Sequence, residues 1–174
     1  QKFPDIDCYT LLLAWVCRVN LDLPEALVLA KALDRKNKED GLRLVQLAVS
    51  AEQNRNYDVA IEALEYVVAK GNEAPQYDNA INRLLNIKYQ KISTTYPVNM
   101  TEVTNLEKEY KKYTTEKGLA SCSSELILKY SSLLAFYMNK TEEATQLLEE
   151  AIKNASREPK QINEYKIQLA DILL

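Results

Sequence analysis

The sequence predicts an all-α protein built of stacked helix pairs. Three observations predict it. Apolar residues recur at spacings of three and four, as in Leu44, Leu47, Ala48 and Ala51, or Ile61, Leu64, Val67 and Val68. No segment shows sustained strand-like alternation, and the prolines fall where helices should begin or end or in loops. Small residues also recur among large ones: Ala26 and Ala60, in LPEALVLAKAL and YDVAIEALEYV, stand 34 residues apart. That distance is the period of a helix–turn–helix repeat.

Nine helices are expected, at about 7–20, 24–36, 40–54, 57–70, 75–93, 101–117, 123–139, 141–154 and 159–174. The first holds the greasiest stretch, CYTLLLAWVC, which is closed by Arg18. It falls short of the ~20 apolar residues that cross a bilayer, so no membrane insertion is expected. Pro24, Pro75 and Pro159 open the second, fifth and ninth helices, where a missing N–H costs nothing. Pro4 lies near the N-terminus, and Pro97 sits in the TTYPVN loop. Gly71 and Gly118 suit the left-handed residue that ends a helix. Thr141, followed by Glu142 and Glu143, reads as an N-cap with acidic residues at the positive end of the dipole.

Composition removes whole classes of function. Charged residues make up 27% of the chain and the net charge is −3, without the clustered basic face that nucleic acid demands. Histidine is absent, which removes the commonest general base and a principal zinc ligand. Three glycines cannot form a phosphate loop. Cys8, Cys17 and Cys122 make no CxxC pair and read as small buried apolar side chains. No catalytic residue, cofactor or metal is therefore expected. The neighbouring carboxylates Glu142/Glu143 and Glu149/Glu150 point in different directions on a helix, and Tyr110 with Tyr113 reads as packing. NLEKEYKKYTTEK is expected to form a solvated face with Glu107–Lys111 and Glu109–Lys112 pairs. The triplets at Asn99, Asn139 and Asn154 match a glycosylation pattern that arises often by chance.

The small residues carry a resemblance. The second unit supplies Leu44, Leu47, Ala48, Ala51, Tyr57, Ala60, Leu64 and Val67; the first offers Leu13, Ala14, Cys17, Leu23, Ala26, Ala30 and Leu33. A fourth offers Leu128, Ser131, Ser132, Ala135, Thr141, Ala144, Leu148 and Ala151. These resemble the tetratricopeptide repeat (TPR) family, although the family's Trp and helix-closing Pro are missing from their usual places. The resemblance implies a right-handed α-α superhelix, a TPR-like solenoid. Its small residues let helix backbones approach at their crossings. Units are expected at about 7–40, 41–74, 75–124, 125–158 and, partial, 159–174. The third is enlarged, because Ala144 follows Ala60 by two periods plus 16 residues. A start at Gln1 and a stop at Leu174 inside a helical pattern lead to the expectation of a longer parent chain.

Residues 57–174, with YDVAIEALEYVVAKG, AFYMNKTEEATQLLEEAI and YKIQLADILL, are also similar to long TPR proteins of the cell envelope of anaerobic Gram-negative bacteria. An envelope location is what that similarity implies, with a cytoplasmic one as the alternative. The repeat resemblance implies a non-catalytic scaffold that binds a protein or peptide along the first helices of its units. An envelope glycan-binding protein on the same repeats is the alternative. The family's groove positions fall on Leu11, Trp15 and Arg18; Val45, Val49 and Glu52; Asn79, Arg83 and Asn86; and Lys129, Leu133 and Phe136. The carboxylate-gripping Lys, Asn and Arg pattern of that family is not reproduced there.

Overall fold

A computed structural model describes residues 7–153 and 158–174. Pro4 and Asn154 lie outside them. Among the described residues there are helices and no strand. They are α1 (Asp7–Val19), α2 (Leu23–Asn37), α3 (Leu42–Gln53), α4 (Tyr57–Val68), α5 (Tyr77–Thr94), α6 (Met100–Lys117), α7 (Ser124–Ser132), α8 (Thr141–Lys153) and α9 (Pro159–Leu173). A short 3-10 turn, Leu119–Ser121, precedes α7, and α7 runs on into a π-helical segment, Leu133–Tyr137. The helices begin and end within two residues of their expected bounds once the π-helical run to Tyr137 is counted with α7; the expected end of the eighth helix, at 154, lies outside the described residues.

The chain forms two compact units, Gln1–Ile87 and Lys88–Leu174, whose boundary falls inside α5. In the first unit α1 packs on α2, α3 on α4, and α2 also on α3 and α4. Ala48, Ala51, Ala60 and Ala63 are fully buried where α3 meets α4. A methyl group is all those crossings can hold, while Leu44, Leu64 and Val67 fill the space between them. Gly41 begins α3 with φ +88, and a Cβ there would stand 3.0 Å from a Val67 methyl of α4. Only glycine meets both conditions without strain.

Polar groups tie α2 to α4. Asp34 is buried on the apolar stripe of α2. It accepts a hydrogen bond from the Tyr66 hydroxyl at 3.1 Å and pairs with Lys70. Lys70 also donates to the Glu39 carbonyl at 2.7 Å, and Lys31 pairs with Glu62 at 2.7 Å. The Lys31 and Lys70 ammonium groups each lie 5.6 Å from the Tyr66 ring centre.

The second unit is built on tyrosines. Tyr110 and Tyr130 stack with ring centres 5.0 Å apart and planes 8° from parallel, and Tyr89 meets Tyr137 edge-on at 6.1 Å. Tyr165, fully buried on α9, donates to the Ser124 hydroxyl at 3.0 Å. The charged face of α6 differs from its sequence reading. Glu107 is buried and pairs with Lys140 at 3.6 Å, and Glu109 pairs with Lys88 of α5 at 2.8 Å. Those carboxylates lie on the side that α6 turns to its neighbours, so they reach across helices instead of along one. Tyr110 and Tyr113 are both buried, as a packing role requires.

Several helices end without glycine. Leu21, Lys38, Arg55 and Asn139 take left-handed φ values of 62, 49, 57 and 54°, alongside Gly71 and Gly118. After Asn139 the Lys140 N–H closes back on the Leu134 carbonyl at 2.8 Å. Asn99 caps α6, its side chain accepting from the Thr101 N–H at 3.0 Å. Thr141 lies in the first turn of α8 rather than before it. Two of the three glycosylation-like triplets thus hold asparagines that work on the backbone.

Candidate binding surfaces

In the first unit the surface begins with α1. Only Arg18 is charged between Cys8 and Val19, so the helix is apolar nearly all round and α2 covers one side. Tyr9, Leu12 and Val19 remain exposed, and Trp15 is 54% exposed. Leu11, Trp15 and Arg18 line one side of a cleft of about 160 Å³. Ala26, Ala30 and Leu33 of α2 and Arg43, Gln46 and Leu47 of α3 complete it.

The α3 contribution corrects the sequence reading. Val45 is only 4% exposed and presents nothing to a ligand. The apolar arc of α3 takes in Leu44, Val45, Leu47, Ala48 and Ala51, wider than a ~100° stripe. Arg43 and Gln46 stand at the cleft in its place, and Val49 is half-buried. The arc's width is readable in the sequence; the residue left at its edge depends on the neighbouring helix.

Glu52 of α3 and Arg83 of α5 meet at 2.8 Å, which commits Arg83 to an internal partner. Asn79 is exposed, and the enclosed Oδ1 of Asn86 has no hydrogen-bond partner. The Asn79, Arg83 and Asn86 cluster therefore carries an internal counter-ion from α3.

In the second unit Lys129 pairs with Glu125 on its own helix at 2.7 Å. Leu133 is fully buried, which corrects its placement on a binding face. The π-helical segment begins at Leu133 and turns Leu133 and Leu134 into the core, while Phe136 is 60% exposed. No local pattern announces such a segment, since it adds one residue to a turn without changing residue types.

Of the three thiols, Cys17 is a poor nucleophile. Cys17 and Cys122 are buried and Cys8 is exposed. Burial, reinforced by Asp22 and Glu25, raises the Cys17 pKa, which keeps the thiol protonated. Among the described residues no group of three or more His, Cys, Asp or Glu side chains could hold a metal ion. No helix among them is long and apolar enough to cross a membrane.

No known family's sequence profile and no curated protein matches the chain. A solved structure does: a thermophilic TPR protein of Thermus thermophilus, with a TM-score of 0.55 and 16% identity. The match covers 96% of this chain and 81% of that one. The likeness is one of fold, a TPR-like arrangement of paired helices.

Proposed function

We propose that the chain is a non-catalytic scaffold that binds a protein or peptide on the first helices of its repeat pairs. The open face of α1 carries this reading. A run of exposed apolar side chains, with Trp15 beside a cleft, is the kind of patch that marks a docking site. Tryptophan also dominates the energetics of many interfaces. Phe136 gives the second unit an exposed aromatic of its own. An envelope location belongs to the same proposal and rests on the similarity of residues 57–174 alone.

A photo-crosslinking group at Leu12 in the native cell tests it. A single captured protein, lost when Trp15→Ala and Val19→Ser are added, is the expected result. Capture that is unchanged by those substitutions removes α1 from the binding face. Hits for the wild-type chain on a glycan array, without protein capture, would move it to the envelope glycan-binding class.

A further inference from the structure

A second cleft lies within the second unit, between the C-terminal end of α6 and the helices α7 and α8. Its volume is about 380 Å³, with Leu119, Leu134 and Leu147 among its walls and Glu143 and Glu150 also lining it. The two glutamates stand seven residues apart on α8, so they share a face at about 10 Å spacing along the axis. Acidic residues at a helix surface are ordinarily just solvated. Tyr130 makes these different.

Tyr130 also lines the cleft and is only 6% exposed. Its ring is stacked on Tyr110, yet its hydroxyl has no hydrogen-bond partner among the described residues. That hydroxyl is not sealed in either, for it is absent from the fully enclosed polar atoms that lack a partner. It opens on the cleft, so a group that enters there can hydrogen-bond to it in place of water. Burial, then Glu107 and Glu143, push its pKa well above the ordinary tyrosine value. It therefore meets a ligand as a neutral phenol with a free lone pair.

We propose that this cleft binds a primary ammonium on an aliphatic stem, either a partner's lysine side chain or a free aliphatic amine. The ammonium has three donors for oxygens set at separate points, whereas a guanidinium favours one planar carboxylate fork. The leucines match the methylene stem. Glu143 is already shared with Lys140 at 3.3 Å, and Lys140 also reaches Glu107. Glu150 has no ion-pair partner among the described residues and supplies the counter-charge. This site lies wholly within the second unit and does not depend on the reading of α1.

The test is a titration of the 174-residue chain, followed by nuclear magnetic resonance at α7 and α8. The probes are cadaverine, a blocked peptide with one lysine, and the same peptide acetylated at that lysine. Saturable shifts are expected with cadaverine, with the lysine peptide, or with both, and none with the acetylated peptide. Peptide binding alone assigns the site to a partner's lysine, and cadaverine binding alone to a free amine. Glu150→Gln, on an exposed residue, and Tyr130→Phe, which keeps the ring stack, should each weaken binding about tenfold. No saturable shift with either amine, or equal binding by both variants and the wild type, overturns the proposal.

Discussion

The first unit closes its α3–α4 crossing with four buried alanines; the second, which among the described residues keeps buried alanines only on α8, adds large buried tyrosines to its core. Ala48, Ala51, Ala60 and Ala63 let α3 and α4 approach until little but backbone separates them. Tyr110, Tyr130 and Tyr165 occupy wider gaps and bring hydroxyl groups that need partners. Alanine packing is cheap in entropy and intolerant of added volume. Tyrosine packing buries more surface, and it adds polar obligations that respond to pH. The two units should therefore fail under different insults.

Deleting a tyrosine should have the largest effect. Tyr110→Ala removes a fully buried ring and its stack on Tyr130, so a loss of about 3–5 kcal/mol is expected. Chemical denaturation would measure it, and amide hydrogen exchange would show whether α6 to α9 open before α1 to α4. Uniform opening would dissolve the contrast.

Alkaline pH should also select the second unit. Burial raises the pKa of Tyr89, Tyr110 and Tyr130 there, and that of Tyr66 in the first unit. An unfolded tyrosine ionises near pH ~10. Below that pH the stabilisation is complete; as pH rises towards the folded-state values, the unfolded chain releases protons first and stability falls. Tyrosinate absorbance should lag behind the free amino acid until unfolding begins, and an early, graded rise would argue against it.

Added volume should single out the first unit. Ala60→Leu is expected to cost about 1–3 kcal/mol or more by overpacking the α3–α4 crossing. Gly41→Ala should cost about 1–2 kcal/mol, since an L-residue at φ +88 is strained and its Cβ presses on Val67. Thermal melts of both variants would show it. The smallest effect belongs to Lys112→Ala, whose exposed pair with Glu116 spans 3.9 Å. A change under about 0.5 kcal/mol is expected there, and a larger one would mean that α6 leans on its surface charges.

The legible part of the molecule is the part decided locally. Helix bounds follow from apolar period, prolines and glycines, and the buried alanines at 26, 30, 48, 51, 60, 144 and 151 follow from the repeat. What stayed hidden depends on a distant neighbour. Glu107 looks like a surface residue until Lys140 arrives from 33 positions away. Val45 and Leu133 sit at helix positions that face a groove in a regular unit, yet a broad apolar arc and a π-helical segment bury them. Asp34 was within reach, because it falls on the same stripe as Leu27 and Ala30. Tyr130 was not: nothing in ILKYSSLL says that its hydroxyl is left unmatched.

The bare side of α1 also has a calorimetric consequence. If a partner covers Tyr9, Leu12, Trp15 and Val19, water is released from apolar surface, and association must carry a negative heat-capacity change. The grip exerted there would then loosen on cooling, as hydrophobic association does, while contacts made through charge would hold or strengthen. Temperature alone could thus tell which face of the molecule a partner has chosen.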